Sequence, residues 1–198
     1  AEGEFAKKEN LASDLVAKFP DLTTIVWLVN PTITNIARGE VRENLHGPGY
    51  IEELILGRRF RISPESFFQT NSRQAENLYR AAFDLADFTP ADNLLDLYCG
   101  AGTIGLCAAD KVARVVGIEI EEAAISDARL NAEINGIENC RFCAGDARKV
   151  LLTDELKEVK FDVVINDPPR AGMHPKALKR LIEVGARRLI YISCNPAT

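Results

Sequence analysis

The chain has 198 residues, 46% of them hydrophobic, and a formal net charge of -5. That supports a sizeable core in one large domain, or one domain plus an appendage, while the acidic balance argues against a nucleic-acid binder, which needs clustered Lys and Arg; the local cluster Arg58, Arg59 and Arg61 is an exception that a solvated hairpin face also explains. No apolar run reaches the ~18 residues of a membrane span, and the opening AEGEFAKKEN has no signal-peptide layout. The expectation is a cytoplasmic protein without a membrane partner.

Residues 1–19 read as a helix, TTIVWLVN (23–30) as a strand, and YIEELILGRRFRIS (50–63) as a hairpin turning near Gly57. Leu54, Leu56, Phe60 and Ile62 are expected to share one face of that hairpin, and His46 to lie in a Gly-Pro-Gly turn. Residues 1–70 thus form a small α+β segment. A helix begins after Asn71, a good N-cap with Gln74 three residues on, and runs through Ala75, Leu78, Tyr79, Ala82 and Phe83.

Strand and helix then alternate. Strands are expected at 93–98, 113–119, 140–144, 161–166 and 188–193, and helices at 102–110, 121–135, 148–158 and 175–186, the last opened by Pro175. Repeated β-α units with apolar strands predict a parallel sheet covered on both faces over residues 71–198.

Five cysteines, at 99, 107, 140, 143 and 194, are an odd number in a chain without a secretory signal, which predicts reduced thiols. Cys140-x-x-Cys143 has no second pair, and no metal is expected. Cys194 stands at the tip of the last apolar strand, before an Asn195-Pro196 turn. Strand tips are where open α/β sheets bind ligands.

LDLYCGAGTIGL (95–106) holds Gly100-x-Gly102-x-x-Gly105 between a strand and a helix, with Glu119 at the tip of the next strand. The glycines let backbone approach a ligand, and the glutamate can accept both hydroxyls of a ribose. NAD and S-adenosylmethionine both carry that ribose. Three features favour the second. Asp96 would face its cationic groups and repel a pyrophosphate. Asp146, after the third strand, can accept from the adenine amino group. In Asn166-Asp167-Pro168-Pro169-Arg170 two prolines hold Asp167 rigidly over the cleft. Each has a plainer reading: Asp96 as a helix-capping carboxylate, Asp146 as an N-cap, the diproline as an ordinary loop.

From about residue 50 onward, SPESFFQTN, LLDLYCGAGTIGL, VVGIEIEEAAISDARLNAEING, INDPPRAGM and YISCNPAT occur in an order that resembles the RNA (uracil-5-)methyltransferases. The resemblance implies a Rossmann-like class I methyltransferase domain that transfers a methyl group from S-adenosylmethionine to carbon 5 of a uridine in structured RNA, tRNA or 23S rRNA. It implies that Gln69, Tyr98, Thr103, Glu119 and Asp167 contact the cofactor, Asp167 together with the target base, and that Cys194 is the nucleophile; Gly100, Gly102 and Asp146 complete the expected cofactor site. Phe67 and Phe68 would stack on a flipped base or join the core, and Arg170 would hold a phosphate or pin its loop. A nicotinamide-dependent oxidoreductase and a non-catalytic RNA-binding module that keeps the cofactor fold are the alternatives.

In that family the proton-removing glutamate lies well beyond the SCNP motif and further strands complete the sheet, whereas Thr198 is four residues past Cys194. The expectation is a truncated piece without the C-terminal strands, inactive by itself, whose 188–193 strand forms an exposed edge prone to self-association. Neither an amino-terminal RNA-binding barrel nor an iron-sulfur cysteine cluster is recognisable.

Overall fold

The computed structural model describes residues 5–30, 40–64 and 66–195. Helix α1 (Lys8–Lys18) precedes strand β1 (Ile25–Val29), which pairs antiparallel with β2 (Glu40–His46). Strand β2 was not expected, because EVRENLH has no apolar run by which a strand is recognised. His46 closes β2, and the glycine turn follows it. There Gly47 has φ 70, and a Cβ would lie 2.0 Å from the Thr23 carbonyl oxygen. The Thr24 hydroxyl ties the corner, donating to the His46 carbonyl and accepting from the Gly49 N–H, both at 2.9 Å.

Strands β3 (Ile51–Ile55) and β4 (Arg58–Ile62) form the expected hairpin, but with Leu54 and Leu56 placed differently. Leu56 and Gly57 both have positive φ, 49 and 78, the two-residue turn whose twist suits a hairpin. That turn sets Ile55 opposite Arg58, so Ile55, Phe60 and Ile62 face inward and Leu54 points out, 65% exposed. Leu56 is consumed by the turn. A strand's side chains alternate, so one residue of register decides which leucine or isoleucine reaches the core.

Helix α2 (Ser72–Ala86) starts as expected, the Asn71 side chain accepting from the Gln74 N–H. Strands β5 (Asn93–Leu97), β6 (Arg114–Glu119), β7 (Cys140–Ala144), β8 (Val163–Asn166) and β9 (Arg188–Tyr191) form a parallel sheet in the order β7-β6-β5-β8-β9. Between them run α3 (Thr103–Ala108), α4 (Glu122–Ile134), α5 (Ala147–Val150) and α6 (Pro175–Val184). Helix α6 begins at Pro175 with His174 Nδ1 accepting from the Lys176 N–H and ends at left-handed Gly185.

Helix α5 is a single turn rather than the helix expected over 148–158. The Thr153 hydroxyl donates to the Val150 carbonyl at 2.8 Å and the Thr153 N–H to the same oxygen, which replaces helical bonding by successive turns.

One sheet face buries Leu94, Val115, Val163, Ile165 and Ile190 in a cluster that also takes Tyr79 of α2 and Ile55, Phe60 and Ile62 of the hairpin. The other buries Leu95, Leu97, Val116, Ile118 and Val164 with Leu181 of α6. The hairpin is therefore part of the same core as the sheet that carries the site.

Candidate active site

The strand order reverses between β5 and β8, so a crevice opens at the carboxyl ends of these strands. Tyr98, Gly100 and Gly102, with φ of 59, 53 and 79, carry the chain from β5 into α3. Tyr98 adopts a left-handed conformation that costs a non-glycine residue of order 1–3 kcal/mol. Side chains are excluded around it: a Cβ on Gly102 would fall 2.9 Å from the Phe142 ring, and one on Gly105 would fall 2.9 Å from Val115 and 3.0 Å from Asp96 Oδ2. The third glycine thus lets α3 sit directly on the sheet.

That close approach brings the Gly105 N–H to Asp96 Oδ2 at 2.9 Å. Asp96 does cap the glycine loop, yet its other oxygen, Oδ1, is buried with no hydrogen-bond partner. Burial, with smaller contributions from the Asp167 and Glu119 carboxylates, pushes the Asp96 carboxyl up to about 8. A cation placed beside it would reverse that cost.

Glu119 ends β6 half-buried. Its carboxylate accepts from the Gly100 N–H at 3.2 Å, the Ile120 N–H at 2.7 Å and the Glu121 N–H at 3.1 Å. Backbone donors thus orient it toward the loop. The Gly145 N–H donates to the Glu119 carbonyl at 2.8 Å, which brings Asp146 to the same rim. Asp146 caps α5 and pairs with Arg148, whose hydrogen bonds hold the carboxyl down at about 2.

Asp167 follows β8, its N–H donating to the Leu97 carbonyl at 3.3 Å, and burial raises its carboxyl. Pro168 is buried and Arg170 exposed. Sequence reasoning passed over Asn166. It is fully buried, its Nδ2 lies 3.2 Å from the Met173 sulfur, and its Oδ1 is without a partner. It also passed over Tyr79 as a site neighbour: the buried phenol is 3.1 Å from the Thr103 hydroxyl, and burial raises its pKa.

Gln69 is half-buried ahead of α2. Phe68 is half-buried with its ring 6.2 Å from Phe60, whereas Phe67 is 74% exposed. The Phe67 carbonyl approaches Gly100, within 3.9 Å of where a Cβ would be. Cys194 follows β9 and is the one exposed cysteine of the five. Burial raises the Cys107 and Cys140 thiols to about 12 and Cys99 well above its ordinary value, so those sulfurs are poor thiolates. The Ile192 N–H donates to the Asn166 carbonyl at 2.9 Å, which fixes the approach to Cys194 beside the β8 tip.

A parallel sheet with a glycine loop at its switch point and an anchored carboxylate on the next strand tip defines a Rossmann-like domain suited to an adenosine ribose. Residues 32–198 match the tRNA (uracil-5-)-methyltransferase family, and the chain belongs to it. It is 42% identical over 196 residues to an uncharacterized RNA methyltransferase of Porphyromonas gingivalis, and 41% identical over 191 residues to one of Listeria monocytogenes. Those alignments cover 98% and 96% of this chain and 42% of each relative, so the chain spans less than half of their length. The crystal structure of the Pyrococcus abyssi tRNA (uracil-54, C5)-methyltransferase in complex with S-adenosyl-L-homocysteine superimposes with a TM-score of 0.74 at 36% identity, over 91% of this chain and 43% of that one.

Proposed function

We propose that the protein to which this chain belongs methylates carbon 5 of a uridine in structured RNA, tRNA or 23S rRNA, using S-adenosylmethionine. The observation that carries this reading is the carboxylate cluster at the switch point: burial, and to a lesser degree the Asp167 and Glu119 carboxylates, raise Asp96, whose Oδ1 has no partner. Such a cradle suits a ligand with a ribose and positive charge and disfavours a pyrophosphate, so the nicotinamide alternative fits it less well.

When bound, S-adenosylmethionine would supply an electrophilic methyl group. Glu119 would accept the ribose hydroxyls and Asp96 would face the cationic end, with Gly100 and Gly102 giving close backbone approach and Gln69, Tyr98 and Thr103 lining the same rim. Asp146 is a candidate for the adenine amino group, in competition with Arg148. Asp167, with its carboxyl raised by burial, would orient the uracil, and Phe68 and Arg170 are candidate base and phosphate contacts.

Carbon 5 of uracil is a weak nucleophile. Addition of the Cys194 thiolate at carbon 6 forms an Sγ–C6 bond, moves the ring electrons onto the carbonyl oxygen and makes carbon 5 nucleophilic. After methylation, loss of the carbon 5 proton to a base and departure of the thiolate restore the ring. The exposure of Cys194 supports the role. We also propose a cytoplasmic setting. Among the described residues no strand pairs with the outer edge of β9, where Leu189 and Tyr191 are exposed, and for this chain by itself that edge suits self-association, which sedimentation by analytical ultracentrifugation would detect as a dimer lost on Leu189→Lys.

The decisive experiment incubates the protein, in its complete form, with S-adenosylmethionine and tRNA or rRNA carrying 5-fluorouridine, because once carbon 5 has taken the methyl group its fluorine cannot leave as a proton does and the thiolate stays bound. A denaturation-stable adduct located on Cys194 by mass spectrometry is expected, and Cys194→Ala should lack it. An adduct on another cysteine, or none with either RNA, overturns the cysteine mechanism.

A further inference from the structure

Helix α4 carries Asp127 and Asn131, and Asn135 caps its C-terminus, so that three polar residues follow one another at intervals of four on the same side. Asn135 exchanges two hydrogen bonds with the backbone of Arg59: the Arg59 N–H donates to Oδ1 at 2.9 Å and Nδ2 donates to the Arg59 carbonyl at 2.7 Å. Asn131 does the same with Arg61, at 2.8 and 3.1 Å. Four residues of helix rise about 6.0 Å, and two residues of strand rise about 6.7 Å. The two repeats therefore run in step, and the amides act as a substitute strand along the open edge of β4.

Asp127 occupies the third rung. A carboxylate has no N–H to give back, so it cannot repeat the pattern. Its Oδ2 accepts from the Ser63 N–H at 3.1 Å and from the Ser66 hydroxyl at 2.5 Å. The Ser63 and Ser66 hydroxyls lie 3.3 Å apart, and the Ser66 N–H donates to the Ser63 carbonyl at 3.2 Å. The change from amide to carboxylate thus ends the strand-like pairing and gathers the corner from which the chain leaves β4 toward Phe67, Phe68 and Gln69. Asp127 is 8% exposed and Asn131 fully buried, so this is an interior device. Asn131 Nδ2 also lies 3.3 Å from the Ala101 carbonyl, which joins the same ladder to the glycine loop.

We infer that Asp127 is a positioning residue: its carboxylate sets the Ser63–Ser66 corner and through it brings the Phe67 carbonyl up to Gly100 of the glycine loop, which fixes where Gln69, two residues further on, leaves that wall. The assignment of Gln69 as a cofactor contact rests on the function proposed above; the placement of the corner does not. Helix α4 begins three residues after Glu119, so one rigid element carries both the ribose carboxylate's flank and the support for the opposite wall.

The test uses the complete protein and four variants, Asp127→Ala, Gln69→Ala, the double variant and Ser66→Ala, with S-adenosylhomocysteine titrations and amide hydrogen exchange. Gln69→Ala and Asp127→Ala should each weaken binding about five- to tenfold, and the double variant should be no weaker than the worse of the two. Exchange should speed up in peptides covering 63–70 and stay unchanged in β5 and β6. Ser66→Ala removes one half-buried hydroxyl and leaves α4 intact, so it should reproduce the local change more mildly even where Asp127→Ala does not fold. Independent, multiplying losses in the double variant, or unchanged exchange over 63–70 in both Asp127→Ala and Ser66→Ala, overturn the inference. Absence of any S-adenosylhomocysteine binding by the unmodified protein would instead defeat the methyltransferase reading, and the exchange measurement would then decide the positioning role alone.

Discussion

The five-stranded sheet and the hairpin in front of it hold their shapes by different means. In the sheet, Leu94, Leu95, Leu97, Val115, Val116 and Val163 are all at or below 1% exposure, so position is set by apolar packing on both faces. The hairpin buries only one face, and its outer edge is fastened by directional hydrogen bonds that the backbone N–H groups of Arg61, Arg59 and Ser63 donate to Asn131, Asn135 and Asp127. Packing is insensitive to small polar changes and sensitive to lost volume; a hydrogen-bonded clamp is the reverse. Glu119 and Asp167 stand at the tips of the packed sheet, while Phe67, whose carbonyl approaches Gly100, follows the Ser63–Ser66 corner that the clamp holds.

The largest expected effect tests the packed half. Leu95→Ala should cost about 2–5 kcal/mol, the range for a fully buried leucine that leaves a cavity, as measured by urea unfolding. A loss below about 1 kcal/mol would mean that the sheet relaxes as easily as the hairpin, and the contrast would dissolve.

Next comes the site built on the sheet. Glu119→Ala removes the carboxylate oriented by Gly100, Ile120 and Glu121, and should weaken S-adenosylhomocysteine binding by about 1–3 kcal/mol with little change in unfolding midpoint. Titration calorimetry checks both that loss and the expected lack of NAD binding. An unchanged affinity would move the ribose away from β6.

The pH dependence separates the buried carboxyl from the exposed ones. Asp96 is raised to about 8 in the folded chain, against an ordinary value near 3.8. The folded state therefore holds this proton more tightly than the unfolded state. Its stabilising contribution is complete below about pH 4, declines as pH rises through 8 by at most ~1.4 kcal/mol per unit, and is flat above. Asp96→Asn should flatten that slope in unfolding measurements between pH 5 and 8. Affinity for a cationic cofactor should run the other way, rising with pH as Asp96 ionises. Equal slopes in the two proteins would show that Asp96 does not carry the titration.

The smallest effect lies on the open face of the hairpin. Leu54→Ser should change stability by no more than about 0.5 kcal/mol, whereas Ile55→Ser, one residue along, should cost several times more. Equal losses would contradict the register fixed by the Leu56-Gly57 turn.

Much of this molecule is legible from residues close together in the chain. The glycine loop, the Asn71 cap, the five apolar strands and the acidic strand tips are local patterns, and a parallel sheet follows from their alternation because apolar strands must be covered on both faces. Candidate residues at successive strand tips converge for the same reason: parallel strands all point their carboxyl ends one way. What local pattern could not supply was register and partnership across distance. Strand β2 is a charged ribbon recognisable only by its pairing with β1, and Ile55 rather than Leu54 reaches the core because a two-residue turn sets the parity of the hairpin. Asn131 reads in sequence as one more polar helix residue, yet it is fully buried because Arg61, 70 residues away, presents an unpaired backbone to it. Likewise, Asp96 is visible as a carboxylate in a strand, but that one oxygen is satisfied by Gly105 and the other left without a partner is decided by how closely α3 settles on the sheet. Local chemistry determined which groups the chain carries; three-dimensional packing decided which of them kept a free valence for a ligand.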